Sequence, residues 1–236
     1  MAKIMTPISE RVQAVKASIQ QAERAAGRAL GEVHLVAVSK TQSASAIREA
    51  ALAGQTSFGE NYLQEALEKQ AQLTDLPLQW HFIGPIQSNK TRPIAEHFDW
   101  VHGVDRLKIA QRLSDARPAD LPPLDICLEV NVSGEASKGG VAPGELPELA
   151  QAVAALPRLR LRGLMAIPAP TDDTSQQHQQ FAHLHHLFET LRADGLPLDT
   201  LSMGMSGDYA AAIAEGATIV RIGTAIFGAR APKTTL

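Results

Sequence analysis

Eight short apolar runs recur along this chain, and most neighbouring pairs are separated by a stretch patterned like an amphipathic helix. That alternation constrains the fold more than any other feature. The runs are "VHLVAVS", "TSFG", "LQWHFIG", "DWVHG", "LDICLEVNV", "LRLRGLMAI", "DTLSMG" and "ATIVRIG". Between them lie "SASAIREAALAG", "YLQEALEKQAQL", "RLKIAQRLSDA", "GELPELAQAVAAL", "QQHQQFAHLHHLFETLRADG" and "GDYAAAIAEG", several of which stop at glycine as helices commonly do. A leading helix over Ile8 to Ala29 precedes the first strand. Strands alternating with helices give a parallel sheet. Eight of them, with seven intervening helices, predict an α/β fold of the (β/α)8 TIM-barrel type rather than an open doubly wound sheet. No linker or repeat divides the 236 residues, which are expected to form a single domain, 1–236.

A barrel of this kind gathers its working residues at the carboxyl ends of its strands. Lys40 stands there after strand one, Asn61 after strand two, His81 and Gly84 at strand three, Asn131 after strand five, Met165 at strand six, Ser206 after strand seven and Arg221 at strand eight. The lysine is the odd residue, because "EVHLVAVSKTQ" is otherwise built for the interior and lysine is seldom fully buried. A strand end reaching solvent would explain an isolated case.

The last third carries two turns that suit an anion. In "LSMGMSGDYAAAI" Ser206 and Gly207 fall where a helix should begin, and in "VRIGTAIFG" Gly223 and Thr224 follow the last strand. Unpaired N–H groups at such turns attract phosphate, and barrels often build a phosphate site from these two loops. Ser206 could equally be a helix N-cap with Asp208 answering the dipole. Arg221 could clamp phosphate, donate to a ring nitrogen or pair with a carboxylate. A lysine near cations or poorly hydrated loses proton affinity, and its neutral amine condenses with aldehydes to a Schiff base. These parts would hold pyridoxal 5'-phosphate, although spacing alone does not select it over a sugar phosphate, as in a lysine aldolase.

Other features read more plainly. Asn61 with Gln64 three residues on resembles a capping box. His81 suits a structural hydrogen bond better than a catalytic base. Lys138, in the glycine-rich "VSGEASKGG", is a rival amine on a solvated loop, and the loop lacks Walker A spacing. In "QQHQQFAHLHHLF" the apolar face is Phe181, Leu184, Phe188 and Leu191, which turns His183 and His186 to solvent without a metal set. A formal charge of -3 and 4% aromatics argue against nucleic acid. The single Cys127 reads as a buried hydrophobe. "MAKIMTPISE" has no signal-peptide core and no run reaches membrane-spanning length, so a cytoplasmic protein is expected.

"AVSKTQ", "FGENYLQE", "HFIGPIQSNK", "GLMAIP", "LSMGMSGD" and "VRIGTAIFG", in this order over about residues 10 to 230, resemble the pyridoxal phosphate homeostasis protein family of YggS/PROSC type. The resemblance implies a barrel similar to the alanine racemase N-terminal domain, the fold-type III arrangement. It implies pyridoxal phosphate as cofactor, with Lys40 forming the internal aldimine. Ser206, Gly223 and Thr224 would then bind the phosphate, Arg221 would face the pyridine nitrogen, and Asn61 would lie in the pocket. It also implies a role in cofactor homeostasis without robust turnover, with PLP-dependent enzymes as candidate recipients. A racemase-like enzyme acting on amino acids is the alternative. Such a racemase needs a second acid–base group, brought by a tyrosine of another domain and subunit. The twelve residues after Thr224 leave no room for that domain, and Tyr62 and Tyr209 are expected to pack. A monomer is expected.

Overall fold

The computed structural model describes residues 7–135 and 139–228. Lys138 therefore lies outside the described residues. Helix α1 (Ile8–Ala25) leads into strand β1 (His34–Val38). There follow α2 (Ala44–Leu52), β2 (Ser57–Glu60), α3 (Leu63–Ala71) and β3 (Gln79–Phe82). After a 3-10 turn at Ser88–Lys90 come α4 (Thr91–His97), β4 (Trp100–Val104), α5 (Leu107–Ala116), β5 (Leu124–Glu129) and α6 (Leu146–Ala154). The chain continues through β6 (Leu159–Met165), α7 (Thr174–Ala193), β7 (Thr200–Ser202), α8 (Tyr209–Ala214), β8 (Ile219–Ile222) and α9 (Thr224–Phe227).

All eight strands run parallel in sequence order, and β8 returns to pair with β1, Val36 opposite Arg221, so the sheet is a closed barrel. The alternation seen in the sequence becomes a ring of strands inside a ring of helices. Strand side chains point alternately outward and inward. Leu35 and Ala37 of β1, Val101 of β4 and Val220 of β8 join the apolar layer between strands and helices. Val36, Trp100, Cys127, Met165 and Ile219 form a second, smaller cluster. Polar residues accompany it: His81, His102, Ser202 and Arg221 are all buried.

Helix α1 stops four residues short of the expected Ala29. Gly27 adopts φ 68, and the N–H groups of Gly27 and Arg28 turn back onto the carbonyls of Arg24 and Glu23. That is a Schellman stop. Helix α7 buries Phe181, Leu184, Phe188 and Leu191, as the sequence spacing predicts, and leaves His183 and His186 exposed. No helix among the described residues is long and apolar enough to cross a membrane.

Candidate functional site

The chain leaves β1 through a tight turn. Gln42 N–H bonds to Ser39 C=O at 3.0 Å, and Thr41 sits at φ 66. A positive φ at the third residue is what a type II turn requires, and it is uncommon outside glycine. A buried ionic group holds it there. Lys69 on α3 donates to Ser39 C=O at 2.8 Å, to Glu60 Oε1 at 2.8 Å and to Glu65 Oε1 at 2.5 Å. Ser39 Oγ donates to Glu60 Oε1 at 2.6 Å, and Thr41 N–H to Glu65 Oε1 at 2.5 Å. Burial pushes the Glu60 carboxyl above the usual range, opposed by Lys69. Lys40 is thus presented by a braced turn at the carboxyl end of the barrel.

A cleft of about 270 Å³ opens beside it, lined by Val38, Lys40, Met205, Ser206, Gly207, Arg221, Gly223 and Thr224 among others. Five of the six site residues expected from sequence meet there: Lys40, Ser206, Arg221, Gly223 and Thr224. Asn61 does not line it. The residue follows β2 at the same end of the barrel, and its Oδ1 is buried with no partner among the described residues.

The two turns are shaped by close packing. Gly204 has φ 94, and a Cβ there would lie 2.7 Å from the Cβ of Ala212, so only glycine lets the chain leave β7 along this path. Ser206 is not the helix cap. Helix α8 begins only at Tyr209, and Asp208 Oδ1 turns back to accept Met205 N–H at 2.6 Å. Among the described residues, the backbone N–H groups of Ser206, Gly207 and Gly223 have no hydrogen-bond acceptor. A Cβ at Gly207 would meet open space.

Arg221 is only 4% exposed. Its Nη1 donates to Ser202 C=O at 2.6 Å and to Ser202 Oγ at 2.7 Å, and its Nη2 donates to Ala166 C=O at 2.9 Å. Among the described residues no carboxylate pairs with it, and two carbonyls and a hydroxyl take three of its N–H groups. Burial lowers its pKa to about 10, still cationic at neutral pH, with Cys127, Glu129 and Asp208 opposing the shift.

Several other expectations change. The capping box at Asn61 does not form: Tyr62 is the N-cap residue without a side-chain bond, and Gln64 bonds to Glu68 instead. Tyr62 does not pack, being 50% exposed, whereas Tyr209 packs partly buried against the core. His81 is not at the mouth. Its ring enters the barrel, Nδ1 lying 3.0 Å from His102 Nε2 and Nε2 lying 3.2 Å from Gln79 Oε1, a structural role as expected.

Sequence reasoning missed Glu60, Glu65, Lys69, Ser202 and His102. Glu65 and Lys69 carried a readable signal as an acid–base pair four residues apart on one helix. The others gave none, because their partners lie far away in sequence. A second cleft, about 470 Å³ at the amino end of the barrel, was also missed. It is lined by His34, His81, Asp125, Arg160, Arg162 and Asp199 among others.

Comparison with known proteins adds the following. The family profile "Alanine racemase, N-terminal domain" matches residues 11–231. A pyridoxal phosphate homeostasis protein of Pseudomonas aeruginosa is 67% identical over 96% of this chain and 97% of its own. One from Escherichia coli K12 is 54% identical over 96% and 98%. PipY of Synechococcus elongatus, solved with PLP bound, superposes with a TM-score of 0.83 at 39% identity, covering 94% of this chain and all of its own. Alanine racemase from Corynebacterium glutamicum shares the fold at a TM-score of 0.66 and 18% identity, over 95% of this chain and 63% of its own.

Proposed function

The chain belongs to the pyridoxal phosphate homeostasis protein family, built on the alanine racemase N-terminal domain, and from that premise we propose that it binds pyridoxal 5'-phosphate in the Lys40 cleft. The observation that carries this reading is the meeting of Lys40, Arg221, Ser206, Gly223 and Thr224 around one cavity. The residues fit the group. The acceptor-free N–H groups of Ser206, Gly207 and Gly223, beside the hydroxyls of Ser206 and Thr224, suit a phosphate. Gly207 adds no side chain to crowd it. Arg221, a donor at every nitrogen, suits a ring nitrogen that carries no proton. When bound, the cofactor would supply an aldehyde, and the Lys40 amine would be the group to tether it.

The chain's own groups favour holding over turnover. Among the described residues lining the cleft there is no carboxylate, histidine, cysteine or tyrosine to serve as a second acid or base beside Lys40. An unprotonated ring is also a weaker electron sink. The reading therefore extends to a cytoplasmic monomer of one barrel that retains the cofactor and delivers it to PLP-dependent enzymes. Asn61 stays in it as a neighbour of the cleft at the same end of the barrel, with an Oδ1 that has no partner among the described residues and can take a donor.

Protein loaded with PLP should be yellow, and borohydride should fix one cofactor onto Lys40, located by peptide mass. Lys40→Ala should lose the visible band while still taking up PLP reversibly. Failure of the wild-type protein to take up PLP, or fixation at another lysine with Lys40 unmodified, overturns the reading. Exchange of an amino acid's α-proton in heavy water at a catalytic rate would favour the racemase-like alternative.

A further inference from the structure

A file of hydrogen bonds runs through the barrel interior and ends on Arg221. The guanidinium only donates, so at Ser202 Oγ it uses an acceptor lone pair. His102 Nδ1 lies 2.7 Å from the same hydroxyl, and the direction of that bond is set from the far end of the file. There Gln79 Oε1 can only accept, which makes His81 Nε2 and then His102 Nε2 the donors and leaves Nδ1 to take the hydroxyl proton. An accepting Nδ1 places the ring proton of neutral His102 on Nε2, which faces His81 Nδ1 at 3.0 Å. His81 in turn must carry its proton on Nε2, facing Gln79 Oε1 at 3.2 Å. From the other end His34 Nε2 lies 2.6 Å from Ser57 Oγ, which donates to the same Gln79 oxygen at 3.2 Å. Every donor in the file has an acceptor, and both branches run toward Gln79 Oε1, which accepts from His81 and from Ser57.

We infer that His102, acting through Ser202, is a positioning residue that fixes how Arg221 faces the cleft, and that His81 and Gln79 lock His102 in the tautomer this requires. The inference rests on the reading of the cleft as a PLP site. Histidine rings have two tautomers, and only one leaves Nδ1 free to take the Ser202 proton. With that acceptor gone, the hydroxyl can turn, and the guanidinium loses one of the three bonds that orient it, the carbonyls of Ser202 and Ala166 keeping the other two. Ion pairing cannot do this work, since among the described residues Arg221 has no carboxylate within hydrogen-bond distance. The groups around the file are His34 from β1, Cys127 and Glu129 from β5, Arg162 from β6 and Arg221 itself from β8. Arg221 and the neighbouring histidines oppose a charge on the rings, and burial acts the same way: His102 is lowered to about 3 and His81 falls well below its ordinary value.

His102→Asn keeps an acceptor near the Nδ1 position, whereas His102→Phe removes it. With PLP-loaded protein, the Phe variant should raise the PLP dissociation constant about tenfold, the worth of one hydrogen bond to a charged group. Its visible band should shift with pH, while the Asn variant keeps the wild-type spectrum and affinity. Equal behaviour of the two variants overturns the inference. Should the Phe variant not fold, nitrogen-15 shifts of the wild-type rings decide it without any substitution: both His102 and His81 should be neutral and protonated at Nε2 between pH 6 and 8. A proton on Nδ1 of either ring in that range sinks the idea. These shifts can be read without cofactor, so a protein that takes up no PLP defeats the carrier reading and leaves this measurement standing.

Discussion

The two ends of the barrel both carry polar clefts, and they differ in how their charges are spent. At the amino end Arg160 chelates Asp125 through Nε and Nη2, and Arg162 reaches Asp125 at 3.1 Å and Asp199 at 2.8 Å. Arg162 also covers the Trp100 ring at 4.8 Å. That cleft is the larger of the two, yet its arginines are matched by carboxylates. At the carboxyl end the smaller cleft meets Arg221, which is held by carbonyls and a hydroxyl, and the backbone N–H groups of Ser206, Gly207 and Gly223, which have no acceptor among the described residues. Size and density of ionisable groups mark the first end. Unanswered donors mark the second, and donors without acceptors are what an anionic ligand can use.

Acid should separate the two ends most strongly. His34 and His81 line the amino-end cleft, His102 lies behind them, and burial depresses all three. A histidine whose folded pKa lies below its unfolded value of about 6.5 stabilises fully above that value, and the contribution is lost as pH falls toward the folded pKa. Between pH 7 and pH 5, His102 alone, held at about 3, should cost about 2 kcal/mol of unfolding free energy, with His81 acting in the same direction, measured by denaturant titration. A flat profile would show that the rings accept protons in the folded state.

Asp125→Ala comes next. It leaves Arg160 and Arg162 without their shared partner at a half-buried site, and should cost about 2 to 3 kcal/mol of stability. PLP uptake per folded molecule should not change. Weakened uptake would mean the amino end does more than hold the barrel.

The converse substitution is Ser206→Ala combined with Thr224→Ala. Stability should stay within about 0.5 kcal/mol. The PLP dissociation constant should rise about thirtyfold, the loss of two hydrogen bonds to phosphate. An unchanged constant would return both hydroxyls to a purely structural role.

Arg160→Gln should be the mildest change, under about 1 kcal/mol by thermal melting. Its side chain is 59% exposed, and Asp125 keeps Arg162.

The sequence disclosed the barrel because both of its periods survive in the apolar pattern, two along the strands and near four along the helices. Lys40, Arg221, Gly223 and Thr224 were legible for a related reason, since in such a barrel any strand end is close to every other. Ser206 was placed correctly in the cleft, and the capping alternative weighed beside it falls because the turn runs two residues longer before α8 begins. The interior file could not be read. His102 and Ser202 are one hundred residues apart, and each sits in a strand whose apolar neighbours disguise an inward polar position. The alternation of arginine and leucine in "LRLRG" did announce a face, but nothing local said which end it would serve.

The bend that follows β1 has a consequence for how the cofactor could be released. Thr41 is pinned in a left-handed conformation by Glu65, and Ser39 is anchored from below by Lys69 and Glu60. The root of the reactive amine is therefore welded to the rim, and its only slack is the four-carbon stem of one side chain. Letting go of a passenger would then take a water molecule to cleave the link and a rotation of that stem to swing the freed amine aside, while the braced rim beneath it stays in place.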